Sequence, residues 1–120
     1  MTTGVAGIIE GEIVFHKIST PFSGATAYIF LEDVSRADAP SIEIARVVLP
    51  GITRDSVHLS PIPFRIVHPP LKNHARYTIN VLIDIDGDGK ISLGDYITME
   101  SYPVSYHHQY PLKVYVQQVK

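Results

Sequence analysis

The stretch Tyr77-Thr-Ile-Asn-Val-Leu-Ile-Asp84 alternates apolar and polar residues more regularly than any other part of the sequence. Its period of two is that of a β-strand with one buried face, formed here by Tyr77, Ile79, Val81 and Ile83. The segment that begins at Asp84 is acidic, and the residues after it, Tyr96-Ile-Thr, again favour a strand. The sequence therefore predicts two strands joined by an acidic loop.

The acidic loop, Asp84-Ile-Asp-Gly-Asp-Gly-Lys-Ile-Ser-Leu-Gly-Asp95, matches the calcium-binding loop of EF-hands at nearly every ligand position. Gly89 stands at the position where the backbone must turn sharply and take a positive φ. The expected ligands are Asp84, Asp86, Asp88, the backbone carbonyl of Lys90, Ser92 and Asp95. Ile91 is expected to face the protein and tie the loop to the core. We therefore predict a Ca²⁺ site, with Mg²⁺ as the alternative ion.

A hairpin turn without a metal is the alternative interpretation of this loop, because Asp-Gly pairs are strong turn signals. The crowding of four carboxylates within one short loop argues against it, since they repel one another when no cation is present. The loop departs from the EF-hand pattern at its last position, where Asp95 replaces the usual Glu. The shorter side chain of Asp95 bears on the choice between Ca²⁺ and Mg²⁺.

The remaining segments repeat the strand pattern, and none shows a helical period. Strands are expected at residues 8–16, 25–33, 41–49, 57–66, 76–84, 96–101 and 112–116. Pro50-Gly51 is expected to end the third strand, and Pro61 and Pro63 place the fourth at a sheet edge, because proline cannot donate to a ladder. These features predict an all-β fold, an antiparallel β-sandwich of about seven strands with the EF-hand-like loop between two of them. The whole chain, 1–120, is expected to be one domain with an ordered core over about 7–119.

The composition excludes several classes of protein. The chain has 120 residues, 45% of them hydrophobic, a formal net charge of −2 and no cysteine. The sequence lacks the cluster of basic residues expected of a nucleic-acid-binding protein, and without cysteine it cannot carry out thiol chemistry. It also lacks an apolar run of the roughly 20 residues that span a membrane. Because neither a signal sequence nor a lipidation cysteine is present, the expected compartment is the cytoplasm, with the periplasm as the alternative if the natural chain begins earlier.

Tyrosines and histidines are the other candidates for binding. Tyr102, Tyr106 and Tyr110 recur every four residues, and tyrosine suits a partner-binding surface. A loop that covers the sandwich is the alternative role for this segment. His58, His68 and His74 fit no zinc spacing and are expected to be surface or loop histidines.

Several segments resemble the YbaY/YscW-type family, the type III secretion lipoprotein chaperones or pilotins and their relatives. They are Leu31-Glu-Asp-Val-Ser-Arg-Ala-Asp-Ala-Pro-Ser-Ile-Glu-Ile-Ala45, Pro61-Ile-Pro-Phe-Arg-Ile66, Tyr77-Thr-Ile-Asn-Val-Leu-Ile83 and Tyr102-Pro-Val104. The resemblance implies a compact β-sandwich without catalytic residues and, in some members, the binding of an outer-membrane secretin. Members are commonly exported and lipidated at a cysteine, which this chain lacks, and the calcium loop is similar instead to dockerin and EF-hand loops.

The function expected from the sequence is that of a non-enzymatic calcium-binding β-sandwich, with a structural or sensory ion. The alternative is a pilotin-like interaction module that binds a protein segment by strand addition at the edge marked by Pro61 and Pro63. No nucleophile elbow, P-loop or dinucleotide motif is present. A metal-dependent hydrolase would require a pocket beside the acidic loop.

Overall fold

A computed structural model describes residues 6–15, 21–36, 38–55, 57, 60–104 and 111–120. These residues form eight β-strands and no helix, which confirms the all-β class. The strands are β1 (Gly7–Phe15), β2 (Phe22–Asp33), β3 (Ile42–Arg54), β4 (Ile62–His68), β5 (Tyr77–Asp84), β6 (Tyr96–Thr98), β7 (Pro103–Val104) and β8 (Leu112–Gln118). No helix long and apolar enough to cross a membrane occurs in this part of the chain.

The strands form one mixed sheet in the order β3-β2-β5-β6-β8-β1-β4, with β7 paired to β5. All the pairings are antiparallel except that of β1 with β8, which runs parallel from Gly11 opposite Leu112 to Phe15 opposite Val116. The parallel pair departs from the wholly antiparallel arrangement predicted. It is possible because no tight turn joins these two strands, and only neighbours joined by a short turn must run antiparallel. The sheet is nearly closed, since its end strands β3 and β4 approach each other.

The core lies inside this curved sheet and follows the predicted alternation. On β2 the fully buried side chains are every second residue from Ala25 to Leu31, and on β5 Ile79 and Ile83 face them. Strands β1, β4 and β8 contribute Ile9, Ile13, Phe64, Ile66, Val114 and Val116 from the other side. An exception to the alternation is Leu82, which is only 8% exposed although it lies on the opposite face of β5. Neighbouring side chains thus shield Leu82 even on the outer face of the sheet.

The predicted end of the third strand is wrong, because β3 continues through Pro50 and Gly51 to Arg54. Between Ala25 and Ala27 of β2, the partners on β3 advance from Ile52 to Leu49, so β3 carries one extra residue there. This is a β-bulge, and Gly51 provides its positive φ of 72°. The bulge accommodates a proline because the ladder is interrupted at that point.

The prediction that Pro61 and Pro63 mark a sheet edge is confirmed. Strand β4 is the last strand of the sheet and pairs only with β1 among the described strands. The strand begins at Ile62, later than predicted, and its C-terminal residue His68 is buried. The expectation of a surface position is therefore wrong for His68, whose Nδ1 lies 2.7 Å from the carbonyl oxygen of Pro69.

Candidate functional site

The acidic loop joins β5 to β6, and both of its ends are fixed in the protein. Asp84, the last residue of β5, is 2% exposed, and Asp95, the residue before β6, is fully buried. Tyr96 follows directly and is also fully buried, with its ring 5.1 Å from that of Phe15 and 5.7 Å from that of Phe22. The loop therefore lies between two strands, as predicted, and its ends are anchored by the core.

The first half of the loop wraps around the carboxylate of Asp84. The N–H of Gly87 donates to Asp84 Oδ1 at 3.0 Å, and the N–H of Gly89 donates to Asp84 Oδ2 at 2.7 Å. Both glycines have a positive φ, 78° and 73°, which residues with a Cβ rarely adopt. The two glycines allow the chain to curl so that successive aspartates face the same centre.

The second half of the loop is organised by Asp95. Its Oδ1 accepts the N–H of Ile85 at 2.9 Å, and its Oδ2 accepts the N–H and the hydroxyl of Ser92, each at 3.0 Å. The Ser92 hydroxyl also lies 2.8 Å from Asp86 Oδ2, so this single proton stands between two carboxylates. Asp95 thus joins the beginning of the loop to its end.

The four predicted carboxylate ligands come together. Asp84, Asp86, Asp88 and Asp95 each contribute an oxygen, and these oxygens lie within 4.8 Å of one another. Burial raises the pKa of Asp84, while the hydrogen bond from Ser92 lowers the pKa of Asp86. The two pKa shifts are opposite because the two carboxylates have different surroundings. Asp84 is buried, whereas Asp86 is exposed and is stabilised in its ionised form by Ser92.

The two remaining predicted ligands, Lys90 and Ser92, lie in the same loop. Ser92 is half-buried and directed at two of the carboxylates, as a ligand at its position requires. Lys90 is exposed, and its N–H donates to Asp88 Oδ1 at 2.9 Å. Four of the six predicted residues thus form the carboxylate cluster, and hydrogen bonds link Lys90 and Ser92 to it.

The predicted inward orientation of Ile91 is wrong, since its side chain is 62% exposed. The loop is instead tied to the last strand through backbone hydrogen bonds. The N–H of Gly94 donates to the carbonyl of Val119 at 2.9 Å, and the N–H of Val119 donates to the carbonyl of Asp95 at 2.7 Å. Because these bonds and the buried aspartates fix the loop, Ile91 is left to line a cavity on the outer face of the sheet.

Of the tyrosines predicted to bind a partner, Tyr102 lies in the described structure, whereas Tyr106 and Tyr110 lie outside the described residues. The Tyr102 hydroxyl lies 2.9 Å from Glu100 Oε1 and accepts the N–H of Tyr115 at 3.0 Å. Burial raises the pKa of Tyr102. These contacts match the covering-loop alternative for Tyr102, because its polar end is already bonded within the protein.

A second feature of the surface is an apolar face around Tyr28 and Phe30, two aromatic residues whose place on the polar side of their strand pattern predicts packing under a loop or a partner. Tyr28 and Phe30 of β2 stack with their ring centroids 6.3 Å apart, and a cavity of about 360 Å³ opens between Phe30 and the acidic loop. Its apolar lining comes from Phe30, Val81, Leu82, Ile91 and Ile97. A signal for this face was present in the sequence, because Leu82 interrupts the polar side of an otherwise regular alternation.

Comparison with solved structures identifies a similar fold over the whole chain. The structure of an alternative pilotin from the type II secretion system of Vibrio cholerae superposes with a TM-score of 0.74 and 22% sequence identity. The match covers 96% of this chain and 98% of that one. No protein-family model matches the chain. The search of curated proteins also found no match. At this level of identity the likeness shows that the two chains share a fold.

Proposed function

We propose that this protein is a non-catalytic interaction module of the pilotin kind, which binds a segment of a partner protein. The observation that carries the proposal is the likeness to a pilotin in fold, which extends over almost the entire chain. The resemblance of individual sequence segments to the pilotin and secretion-chaperone family supports the same function.

We assign the partner segment to the open side of β4, where no described strand forms a ladder with it even though β3 comes near. Pro63 has no N–H, so it fits the ladder best when that position faces the open side of the strand. Since successive residues of a strand point their backbone groups to alternate sides, Arg65 and Val67 then present N–H and C=O groups outward. A partner strand could pair with both, and it would lie beside the exposed side chain of Val67 and its neighbour across the ladder, Ile8.

Site-specific photo-crosslinking tests this function. A photoreactive amino acid replaces Arg65 or Val67 in cells that produce the protein, and the crosslinked product is identified by mass spectrometry. The expected result is one dominant partner protein at both positions, and none at Lys113, an exposed position on the internal strand β8. The substitution Val67→Pro removes an edge donor and is expected to abolish the product. Equal crosslinking at position 113, or no product at the edge, would contradict the assignment.

We also propose that the acidic loop binds a divalent cation, Ca²⁺ in preference to Mg²⁺. The supporting observation is the spacing of the four carboxylate oxygens, all within 4.8 Å of one another. Oxygens that share one Ca²⁺ at 2.3–2.6 Å lie at most about 5 Å apart, whereas around Mg²⁺ the limit is about 4.2 Å. The described arrangement is therefore compatible with Ca²⁺ as it stands, and the ligands would have to draw together for Mg²⁺.

Calorimetric titration of the chelator-treated protein tests the cation site. We expect one Ca²⁺ per chain, with a Kd in the broad range of about 10⁻⁷ to 10⁻³ M for loops of this type. The double substitution Asp86→Ala/Asp88→Ala removes two exposed ligands and is expected to abolish binding. The control is Glu10→Ala/Glu12→Ala, which removes the same charge from β1. If the loop variant and the control titrate alike, the loop is not the site.

A further inference from the structure

An apolar row crosses the outer face of the sheet, where side chains point away from the core. Tyr28 of β2 lies opposite Val48 of β3 and Leu82 of β5, and Leu82 lies opposite Ile97 of β6. The outer face of an antiparallel sheet is usually polar, because it meets water. An apolar row across four strands is the kind of surface that marks a binding site.

The cavity of about 360 Å³ lies beside this row, and the acidic loop forms one of its walls. Phe30, Leu82 and Ile97 line the sheet side, while Gly89 and Ile91 line the loop side. Its volume is at the lower end of the range for ligand pockets, about 300–1,000 Å³. The cavity therefore suits one large apolar side chain better than an extended cofactor.

A chain of hydrogen bonds fixes a carboxylate in the wall of this cavity. Asn80 Nδ2 donates to Glu32 Oε1 at 2.5 Å, and the Thr98 hydroxyl donates to Asn80 Oδ1 at 3.1 Å. The Thr98 oxygen in turn accepts the N–H of Val81 at 3.2 Å. Glu32 is thus held by side chains that are themselves held by the backbone, which reduces the entropy lost when a ligand contacts it.

A second cavity, of about 390 Å³, continues the first along β5. The two share Asn80 and Thr98, and the second is also lined by Val34, Met99 and Glu100. We call the two together the β5 groove. It contains two carboxylates, Glu32 and Glu100, while the described lining residues include no lysine or arginine. Arg46 lies over the Phe30 ring at 5.0 Å, but Glu43 already holds its guanidinium through contacts of 2.7 and 2.8 Å.

We propose that the β5 groove binds a partner peptide in which a large apolar residue lies within a few positions of a lysine or arginine. The apolar side chain enters the cavity between Phe30, Leu82 and Ile97, and the cationic side chain pairs with Glu32. The groove is acidic, so charge complementarity favours a lysine or arginine in the peptide. The inference rests on the proposed function, an interaction module, and adds to the β4 edge a second surface with its own chemical preference.

Fluorescence anisotropy with designed peptides tests the groove. The probes are labelled decapeptides in a Gly/Ser background that carry one Leu or Phe and one Lys or Arg, at separations of one to four residues. Two control sets replace the basic residue by Glu or the apolar residue by Ala. We expect binding by at least one spacing of the first set, and affinities at least about tenfold weaker in both control sets, because each lacks one of the two anchors.

Variants of the groove locate the binding site of the peptide. Glu32→Gln keeps an oxygen that can accept from Asn80 but removes the charge. It should weaken the binding of the basic peptide about fivefold and leave the affinity of an analogue with Gln in place of the basic residue unchanged. Ile91→Ser, at an exposed position, should weaken the binding of both peptides. Val57→Ser, which makes a comparable change at an exposed position outside both surfaces, is the matched control and should change the affinity of neither peptide.

The outcomes separate this inference from the function on which it rests. If the β4 edge crosslinks a partner but the basic peptides bind no better than the acidic ones, the groove is not the site and the interaction function stands. If neither surface captures a protein or peptide, both proposals fail. Binding to phosphatidylcholine vesicles, or dimerisation that Glu32→Gln or Ile91→Ser disrupts in sedimentation, would assign the groove to a membrane or to a second copy and overturn the inference.

Discussion

At the residue scale, the aspartates of the loop fall into two kinds. Asp95 is fully buried and its carboxylate accepts hydrogen bonds from Ile85 and Ser92, whereas Asp86 is exposed. Asp95→Ala therefore removes the acceptor of the half-buried donors of Ile85 and Ser92 and should destabilise the chelator-treated protein by about 1–3 kcal/mol. Asp86→Ala removes only exposed hydrogen bonds and should lower the midpoint of urea denaturation in chelator much less. Equal effects of the two substitutions would mean that Asp95 has no structural role apart from the cation.

The burial of Asp95 also bears on the departure from Glu at this position. Both of its oxygens are already within hydrogen-bond distance of loop atoms, so the shorter side chain matches the spacing of a loop held between two strands. A longer side chain in a fully buried site would have to displace its neighbours. The structure thus supplies a packing reason for Asp that the comparison with EF-hand loops did not provide.

Gly11 is the second residue whose identity the packing requires. A Cβ at this position would lie 2.6 Å from the carbonyl oxygen of Leu112 and 2.6 Å from the Phe64 ring, too close for either contact. Gly11→Ala should therefore force β1 away from its neighbours and cost about 1–3 kcal/mol in the free energy of unfolding, measured by urea denaturation. Gly7→Ala is the control, because the nearest atom there belongs to the His68 side chain at 3.3 Å. A Gly11→Ala midpoint equal to that of the control would contradict this packing.

At the scale of elements, the acidic loop is flanked by strands, so a bound cation is expected to stabilise the existing fold and not to induce new secondary structure. The core around β5 and β6 is made of apolar side chains and includes none of the loop carboxylates, so the protein should remain folded in chelator. If Ca²⁺ binds the folded state alone, a concentration of 100 times Kd should stabilise it by about 2.7 kcal/mol. The expected observation is a raised Tm with an unchanged β-type circular dichroism spectrum. A gain of helical signal on adding Ca²⁺ would show that the strand-flanked loop is wrong.

Local patterns in the sequence predicted individual elements well because the period of two is a local property. The alternation over Ala25 to Leu31 and Tyr77 to Ile83 corresponds to the buried faces of β2 and β5, and Pro61 and Pro63 correctly marked the edge. The predictions failed where tertiary contacts decide the outcome. Ile91 is exposed because backbone hydrogen bonds to Val119 already hold the loop. These bonds join the loop to a distant segment, so they cannot be predicted from the residues of the loop. The parallel partner of β1 was missed for the same reason, since strand pairing between distant segments has no local signature.

At the scale of the whole molecule, β8 connects the two halves of the sheet. It lies between β6 and β1, and it buries Leu112, Val114 and Val116. Deletion of residues 112–120 would expose two strand edges and remove three core side chains, each worth about 1.5–3 kcal/mol of burial. That loss approaches the total stability of a typical domain, about 5–15 kcal/mol. We expect the shortened chain to lose its β-type circular dichroism and to aggregate in size-exclusion chromatography, whereas deletion of Lys120 alone should have no effect.

The parallel pairing of β1 with β8 also determines how the molecule should respond to mechanical force. When the protein is stretched by its two ends, these strands are pulled along their length in opposite directions, and all the hydrogen bonds between them must yield together. When it is stretched instead between residues 7 and 68, which face each other at one end of the β1–β4 pair, the bonds can break one after another, as a zipper opens. Single-molecule pulling should therefore show a higher rupture force through the ends than through residues 7 and 68. Similar forces in the two directions would mean that the β1–β8 ladder does not carry the tension.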